Sequence, residues 1–366
     1  MSDQQVYAII MAGGKGERFW PQSRASHPKQ LLRLMGNLTM IEQATERLIP
    51  VVPEQNIIII TNREYVNAMQ QLLHRVPEKN IIGEYTGRDT AACMALATGI
   101  IHQRAGAGKD PVIVVSPADH IIRNTAKFRQ TLADSIKVAA NCNKLITWGI
   151  EPRFPSTGFG YIETGLPLVT DTQSSFFEVR KFTEKPSLAL AEDCISQKKC
   201  KWNSGFFIWR YEVIMNTMRE LAPELFNLAN EAYRAECDGD LNPVLENSYR
   251  RVKRISIDYA IMEKCENIAM AVTDFDWEDV GSWSALRSQA RPNADNNIIR
   301  GLVACLDTTD SMIVSSPNHL VAAIDVRNLI IVHTDDATLV CAEQSAQRVK
   351  ELVQELNKNP EFKKFL

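Results

Sequence analysis

No apolar run in the 366 residues approaches the length of a membrane span, and no charge block or low-complexity tract is present. A membrane partner is therefore not expected. A basic excess is missing as well. The formal net charge is −3, which argues against a general polyanion binder and so against nucleic acid as a partner. The eight cysteines form no C-x-x-C pair and no Cys/His group with zinc spacing, which excludes a structural zinc site. Their scatter predicts reduced thiols in a cytoplasmic protein. The apolar run Val6 to Ala12 is short and lacks a basic lead, so no secretory signal is expected. Two phosphate-binding motifs are also absent: no Gly-Lys is followed by Ser or Thr as a Walker A loop needs, and no G-x-G-x-x-G occurs at Gly13 to Gly16. No Ser/His/Asp or Cys/His grouping suggests covalent catalysis.

What is there is an ordinary globular composition, 23 % charged and 45 % hydrophobic, on a chain long enough for one large domain and one small. Apolar runs such as "VYAIIMA", "NIIIIT" and "PVIVVSPADH" alternate with stretches at helical spacing, "TMIEQATERLI", "EYVNAMQQLLHRV" and "DTAACMALATGIIHQRA". That alternation predicts an α/β fold, a doubly wound and mostly parallel sheet covered on both faces, with ligands beyond the carboxyl ends of the strands. After "RPNADNN" the texture changes to short strand-like runs separated by polar turns, closed by the amphipathic "AQRVKELVQELNK". The expected domains are residues 1–290 and a small β-rich domain, a β-roll or β-helix, over 291–366.

The segment "YAIIMAGGKGERFWPQSRASHPKQLL" carries the first chemical signal. A buried strand ends at Ala12, Gly13 and Gly14, and the cations Lys15, Arg18, Arg24 and Lys29 follow at once. Glycines admit backbone N–H groups close to phosphate oxygens, and cations meet charge that builds during phosphoryl chemistry. The bland alternative is a glycine-rich turn with solvated cations.

"GGKGERFWPQSRASHPKQ" resembles the signature of sugar-phosphate nucleotidylyltransferases, and its Trp-Pro, Ser-Arg and Pro-Lys-Gln elements are similar to those of mannose-1-phosphate guanylyltransferases. The likeness continues in order through "GEYTGRDTAA", "SPADHII", "STGFGYIE", "FTEKP", "WNSGFFIW", "SIDYAIMEK" and "WEDVGSW". The resemblance implies a Rossmann-like catalytic domain of glycosyltransferase-A type. It implies attack by mannose 1-phosphate on the α-phosphorus of GTP, giving GDP-mannose and diphosphate, with Mg2+ or another divalent cation such as Mn2+ held by Asp119 and Asp279. By the same likeness Ala12, Gly13, Gly14, Lys15, Gly16, Glu84, Arg88 and Thr90 bind the nucleotide, Arg18 and Lys29 are catalytic, and Gly158, Glu184, Lys185, Asn203 and Asp258 bind the sugar phosphate. Gly158 is expected to sit where a Cβ would collide with the sugar, and Asn203 to offer its amide to sugar hydroxyls. Asp258 reads equally as a helix N-cap. A homodimer through the C-terminal region is implied too, and the missing phosphomannose isomerase domain of longer members implies a single activity.

The chain departs from the family pattern at Tyr85, where proline is common, at Asp89, where asparagine is common, and at Glu343, where lysine is frequent. The first two bear on base choice. The alternatives are another nucleotide or hexose phosphate within the superfamily, and a catalytically silent regulatory subunit. Trp202, Phe206, Phe207 and Trp209 read as core residues, and His120 as a structural neighbour of Asp119.

Overall fold

The computed structural model describes residues 4–287 and 290–366. They form two compact units, each assembled from separate stretches of chain. The first comprises residues up to Gly13, Ala44–Ala118 and Ile122–Trp277; the second comprises Gly14–Gln43, Asp119–Ile121 and Glu278–Leu366. This differs from a division at residue 290, because the glycine loop and the Asp119 and Asp279 segments belong to the compact unit that also contains the C-terminal strands.

The strands in chain order are β1 (Val6–Ala12), β2 (Ile57–Asn62), β3 (Ile81–Glu84), β4 (Val112–Pro117), β5 (His120–Ile122), β6 (Leu145–Ile150), β7 (Tyr161–Leu168), β8 (Phe176–Thr183), β9 (Cys200–Arg210), β10 (Ile268–Thr273) and β11 (Trp277–Asp279). The first unit is built on a nine-stranded sheet of order β3-β2-β1-β4-β9-β6-β10-β8-β7. Its near-continuous apolar strands, β1, β2, β4 and β6, are buried along almost their whole length, as parallel strands covered on both faces must be. The expectation of a mostly parallel sheet needs correction, however. β3, β2, β1 and β4 run parallel, as do β6 and β10, but β9 lies antiparallel to both β4 and β6, and β7 and β8 add further antiparallel pairs. Apolar content reports burial and not direction, so "WNSGFFIW" looks the same either way.

The helix Asp89–Ala105 is buried along most of its length and packs on the helix Pro223–Asp238. Gly99 permits this approach: a Cβ there would stand 2.0 Å from the Ala229 carbonyl oxygen. Trp148 stacks on Phe206 with ring centroids 4.8 Å apart, and Phe128 meets both edge-on. Trp202, Phe206, Phe207 and Trp209 are all buried, as read from the sequence. Cys194 and Cys200 are joined by a disulfide, contrary to the expectation that every thiol is free. Their six-residue separation in sequence carries no recognisable motif, and it is the turn after the helix Leu188–Ser196 that returns Cys200 to Cys194.

In the second unit, β12 (Ile298–Arg300), β14 (Met312–Val314) and β16 (Leu329–His333) stack in parallel, and so do β13 (Leu302–Leu306) and β15 (Leu320–Ile324). β17 (Thr338–Ala342) closes the stack antiparallel to β16. Repeating parallel rungs of this kind make a short β-helix. Asp307 and Asp325, like Asp310 and Asn328, turn successive corners with positive φ, a conformation that Asp and Asn tolerate better than most residues. The core of this unit combines Phe19, Trp20, Leu34 and Met40 with Trp283, Met312, Ile330, Val332 and Val349. Trp283 Nε1 donates to the Trp20 carbonyl at 3.1 Å. On the closing helix Val349–Lys358, Val349, Val353 and Leu356 pack against this core, while Leu352 remains 39 % exposed.

Candidate active site

In the second unit the glycine loop leads into a single 3-10 turn, Glu17–Phe19. Gly16 has φ 68°, and a Cβ on it would lie 2.3 Å from Lys29 Cβ, so glycine at this position lets the Lys29 backbone pass close by. Gln30 Nε2 donates to the Gly14 carbonyl at 2.7 Å and Ser23 Oγ to the Gly16 carbonyl at 2.8 Å. Both residues stand in the Ser-Arg and Pro-Lys-Gln elements that carry the resemblance, but the sequence assigned neither a role of its own. Lys15 and Arg18 are exposed, and Arg18 Nη1 donates to the Gly281 carbonyl at 3.2 Å.

Lys29 is buried and its Nζ stands 2.7 Å from Asp119 Oδ2. His120 Nε2 lies 3.9 Å from Asp119 Oδ1 and 3.9 Å from Asp279 Oδ1. The two aspartates, distant in sequence, therefore flank one imidazole. Burial alone would raise Asp119, but the Lys29 ammonium and His120 outweigh it and hold the carboxyl below its ordinary value. Among the described residues no three His, Cys, Asp or Glu side chains converge as a ready-made metal cage. Two carboxylates are nevertheless a suitable donor set for Mg2+, a hard cation that takes oxygen ligands and keeps several of its own waters.

In the first unit two clusters form. Ala12 ends β1 fully buried, and its carbonyl accepts from Thr61 Oγ1 at 3.0 Å. A Cβ on Gly13 would lie 2.8 Å from Glu84 Oε1. Glu84 is buried and its Oε2 accepts from the Tyr249 hydroxyl. Burial first, with the Asp89 charge behind it, pushes Glu84 up to about 6 against the lowering hydrogen bond from Tyr249. Arg88 donates to the Arg250 carbonyl, and Thr90 Oγ1 accepts from the Ile257 amide at 2.9 Å. The departures are accommodated in detail. Tyr85 Oη donates to Asn242 Oδ1 at 2.9 Å, with the Arg63 guanidinium 4.4 Å over its ring. Asp89 is exposed, with φ 67°, and its carboxylate takes the Thr90 amide at 2.9 Å.

The second cluster contains Glu184, Lys185, Asn203 and Asp258. Lys185 Nζ donates to Glu184 Oε1 at 2.8 Å, and the Glu184 amide donates to Glu263 Oε1 at 2.7 Å. Asn203 Nδ2 donates to Asp258 Oδ1 at 2.9 Å, while its Oδ1 accepts from Thr147 Oγ1 at 3.0 Å. The Asn203 amide is thus held in place by partners within the protein. Asp258 opens the turn Asp258–Met262 and makes no side-chain cap, so the N-cap reading is set aside. Burial, then the Glu184 carboxylate, raises Asp258 above the ordinary carboxylate range. Gly158 is not crowded, since its Cβ would meet only Ser156 Oγ at 3.6 Å. The more crowded glycine is Gly160, where a Cβ would lie 2.6 Å from Glu184 Oε2 and 3.2 Å from Asn203 Cβ. Both glycines stand in "STGFGYIE", and the sequence does not distinguish them. Glu343, where relatives often have lysine, accepts from Arg287 Nη1 at 3.2 Å.

The family model for nucleotidyl transferases matches residues 7–296, and that for the mannose-phosphate isomerase/GMP-like β-helix domain matches 301–356. A mannose-1-phosphate guanylyltransferase of Klebsiella pneumoniae is 36 % identical over 357 residues, covering 96 % of this chain and 74 % of its own. The chain belongs to the mannose-1-phosphate guanylyltransferase family. The family's Escherichia coli K12 member is 34 % identical over 97 % of this chain and 74 % of its own length. A solved Thermus thermophilus structure, described as a mannose-1-phosphate geranyltransferase, superposes with TM-score 0.86 at 29 % identity, covering 97 % of this chain and all of that one. The nucleotidyltransferase fold with a C-terminal β-helix is therefore the fold of the family.

Proposed function

We propose that the protein transfers the guanylyl group of GTP to mannose 1-phosphate, forming GDP-mannose and releasing diphosphate. The observation that carries this reading is the pair of carboxylates, Asp119 and Asp279, on either side of His120 with Lys29 on Asp119. Both reactants are polyanions, so charge repulsion is the main obstacle to attack. Asp119 and Asp279 would hold a divalent cation, which would supply positive charge to offset the phosphate charge of the two reactants. Arg18 and Lys29 meet charge on the departing diphosphate, and the amides of Gly13, Gly14, Lys15 and Gly16 cradle nucleotide phosphate oxygens. Glu84 accepts from the N1–H and N2–H2 donors of guanine, while Arg88 and Thr90 hold the start of the helix that follows it. Lys185 takes the sugar phosphate as a compact ammonium, and Glu184 and Asp258 take sugar hydroxyls. The sugar phosphate is itself an anionic nucleophile, so positioning and electrostatics suffice.

We place the reaction in the cytoplasm; no helix among the described residues is long and apolar enough to cross a membrane. We also propose a homodimer. On the ribbon of β13 and β15, Leu302, Leu306, Leu320 and Ile324 are 52–66 % exposed and leave an apolar face uncovered.

A second reading, with another nucleotide or hexose phosphate, is favoured by the substitutions at Tyr85 and Asp89. A silent subunit has no reason to keep Arg18, Lys29, Asp119, Lys185 and Asp279 together. The test is a matrix of the four nucleoside triphosphates against several hexose 1-phosphates with diphosphate release measured. GTP with mannose 1-phosphate is expected to be turned over fastest. A faster pair elsewhere in the matrix selects the second reading, and no release in any well selects the silent subunit.

A further inference from the structure

Tyr249 lies in the second half of the chain, outside every segment the sequence singled out. It is fully buried, yet its hydroxyl does not point into solvent or to backbone; it donates to Glu84 Oε2. Its turn, Tyr249–Arg251, is tied to the stretch around Glu84 by Arg88, which donates to the Arg250 carbonyl, and the chain on either side is tied there too, by the Ile257 amide to Thr90 and by Tyr85 to Asn242. This much bonding between two short stretches fixes the side chains at their junction.

A phenol has one proton to give, and an ionised carboxylate only accepts. With Oε2 engaged by Tyr249, the plane of the Glu84 carboxylate is fixed and Oε1 is the oxygen left for a ligand. Oε1 is also the atom beside Gly13, whose missing Cβ leaves it open. We propose that Tyr249 is a positioning residue that sets base choice, holding Glu84 so that its carboxylate receives the N1–H and N2–H2 donors of guanine. This rests on the assignment of Glu84 to the base in the proposed function. Adenine offers an acceptor at N1 and would face the carboxylate with lone pair against lone pair. Inosine keeps N1–H but lacks the 2-amino group. A fixed acceptor therefore separates GTP from ATP strongly and from ITP measurably.

The experiment is Tyr249→Phe, which keeps the ring and removes only the hydroxyl. Binding of GTP and ITP is measured by calorimetry, and KM and kcat with mannose 1-phosphate for both nucleotides. The Kd and KM for GTP are expected to rise roughly tenfold, the scale of a lost hydrogen bond to a charged group. The GTP-to-ITP preference should shrink toward unity while kcat and the KM for mannose 1-phosphate stay within about twofold. The pH at which GTP binding weakens should also move upward, because the Tyr249 hydrogen bond lowers the Glu84 pKa. An unchanged GTP-to-ITP ratio with an unchanged pH inflexion overturns the proposal. Should Tyr249→Phe not fold, Glu84→Gln decides. Tyr249 then donates to the amide oxygen and leaves the NH2 group for the base, so the order of ATP and GTP binding must invert; retained GTP preference overturns the proposal. Equilibrium binding reads this inference even in a protein that does not turn over mannose 1-phosphate, so its failure is distinct from failure of the proposed function.

Discussion

At the scale of single residues, the carboxylates and cations divide by what they are bonded to. Asp119 is part-exposed, with Lys29 on one oxygen and the other facing His120. Asp119→Asn keeps the shape and removes the charge, so the fold should hold while kcat falls by about a hundredfold or more, on the order of 3 kcal/mol of lost electrostatic stabilisation. Steady-state turnover at saturating Mg2+ checks this, and near wild-type turnover there would remove the metal role. Arg18 is exposed and bonded to backbone only, whereas Lys185 is paired with Glu184. Arg18→Ala should therefore depress kcat with little change in sugar binding, and Lys185→Ala should chiefly raise the KM for the sugar phosphate. The reverse pattern would exchange their roles. Glu84 adds a pH dependence. Its pKa of about 6 stands above the ordinary 4.5, so the ionised acceptor form fades as pH falls through 6. The kcat/KM for GTP should drop below that pH, and Glu84→Gln should abolish the inflexion. Stability runs the other way: the contribution of the protonated form is complete below 4.5 and is lost as pH rises through 6.

At the scale of elements, the contact between the helices Asp89–Ala105 and Pro223–Asp238 depends on one missing methyl group. Replacing a mid-helix glycine by alanine ordinarily stabilises a helix by about 1 kcal/mol. At Gly99 the added Cβ would meet the Ala229 carbonyl oxygen at 2.0 Å and the Ala232 Cβ at 2.9 Å, so one helix must move. Gly99→Ala should destabilise by about 1–3 kcal/mol, read as a lower midpoint in urea. An unchanged or higher midpoint would mean that the pair packs more loosely. Much about these elements was legible in the sequence: "DTAACMALATGIIHQRA" is the helix Asp89–Ala105 residue for residue, and "VIVVSP" is β4. Strand direction was not. β9 is buried along most of its length, as β4 and β6 on either side of it are, and burial alone does not tell that it runs antiparallel to both.

At the scale of the whole molecule, the apolar face on β13 and β15 is the feature that asks for a partner. Leu302 faces Leu320 and Leu306 faces Ile324 across a two-stranded ribbon, all exposed. Light scattering at micromolar concentration should return twice the chain mass of 41.2 kDa. Leu306→Arg with Ile324→Glu should return the single mass without loss of β-helix structure, because neither side chain belongs to the core. A monomeric parent chain would remove the dimer.

The sequence by itself determined the chemical class. Glycines, cations and carboxylates occur in ordered blocks, and each block needs only its own residues to be recognised, since backbone approach to phosphate and charge neutralisation are properties of residue type. Only the tertiary structure decided which groups within each unit work together. Tyr249 meets Glu84, Asn203 serves Asp258, and Gly160 rather than Gly158 lies against Glu184. The pairing of Cys194 with Cys200 is of the same kind. Hydrogen bonds and close packing act over about 3–4 Å in space, whatever the separation along the chain. A pattern read along the chain therefore shows which residues can act, and folding decides which of them meet.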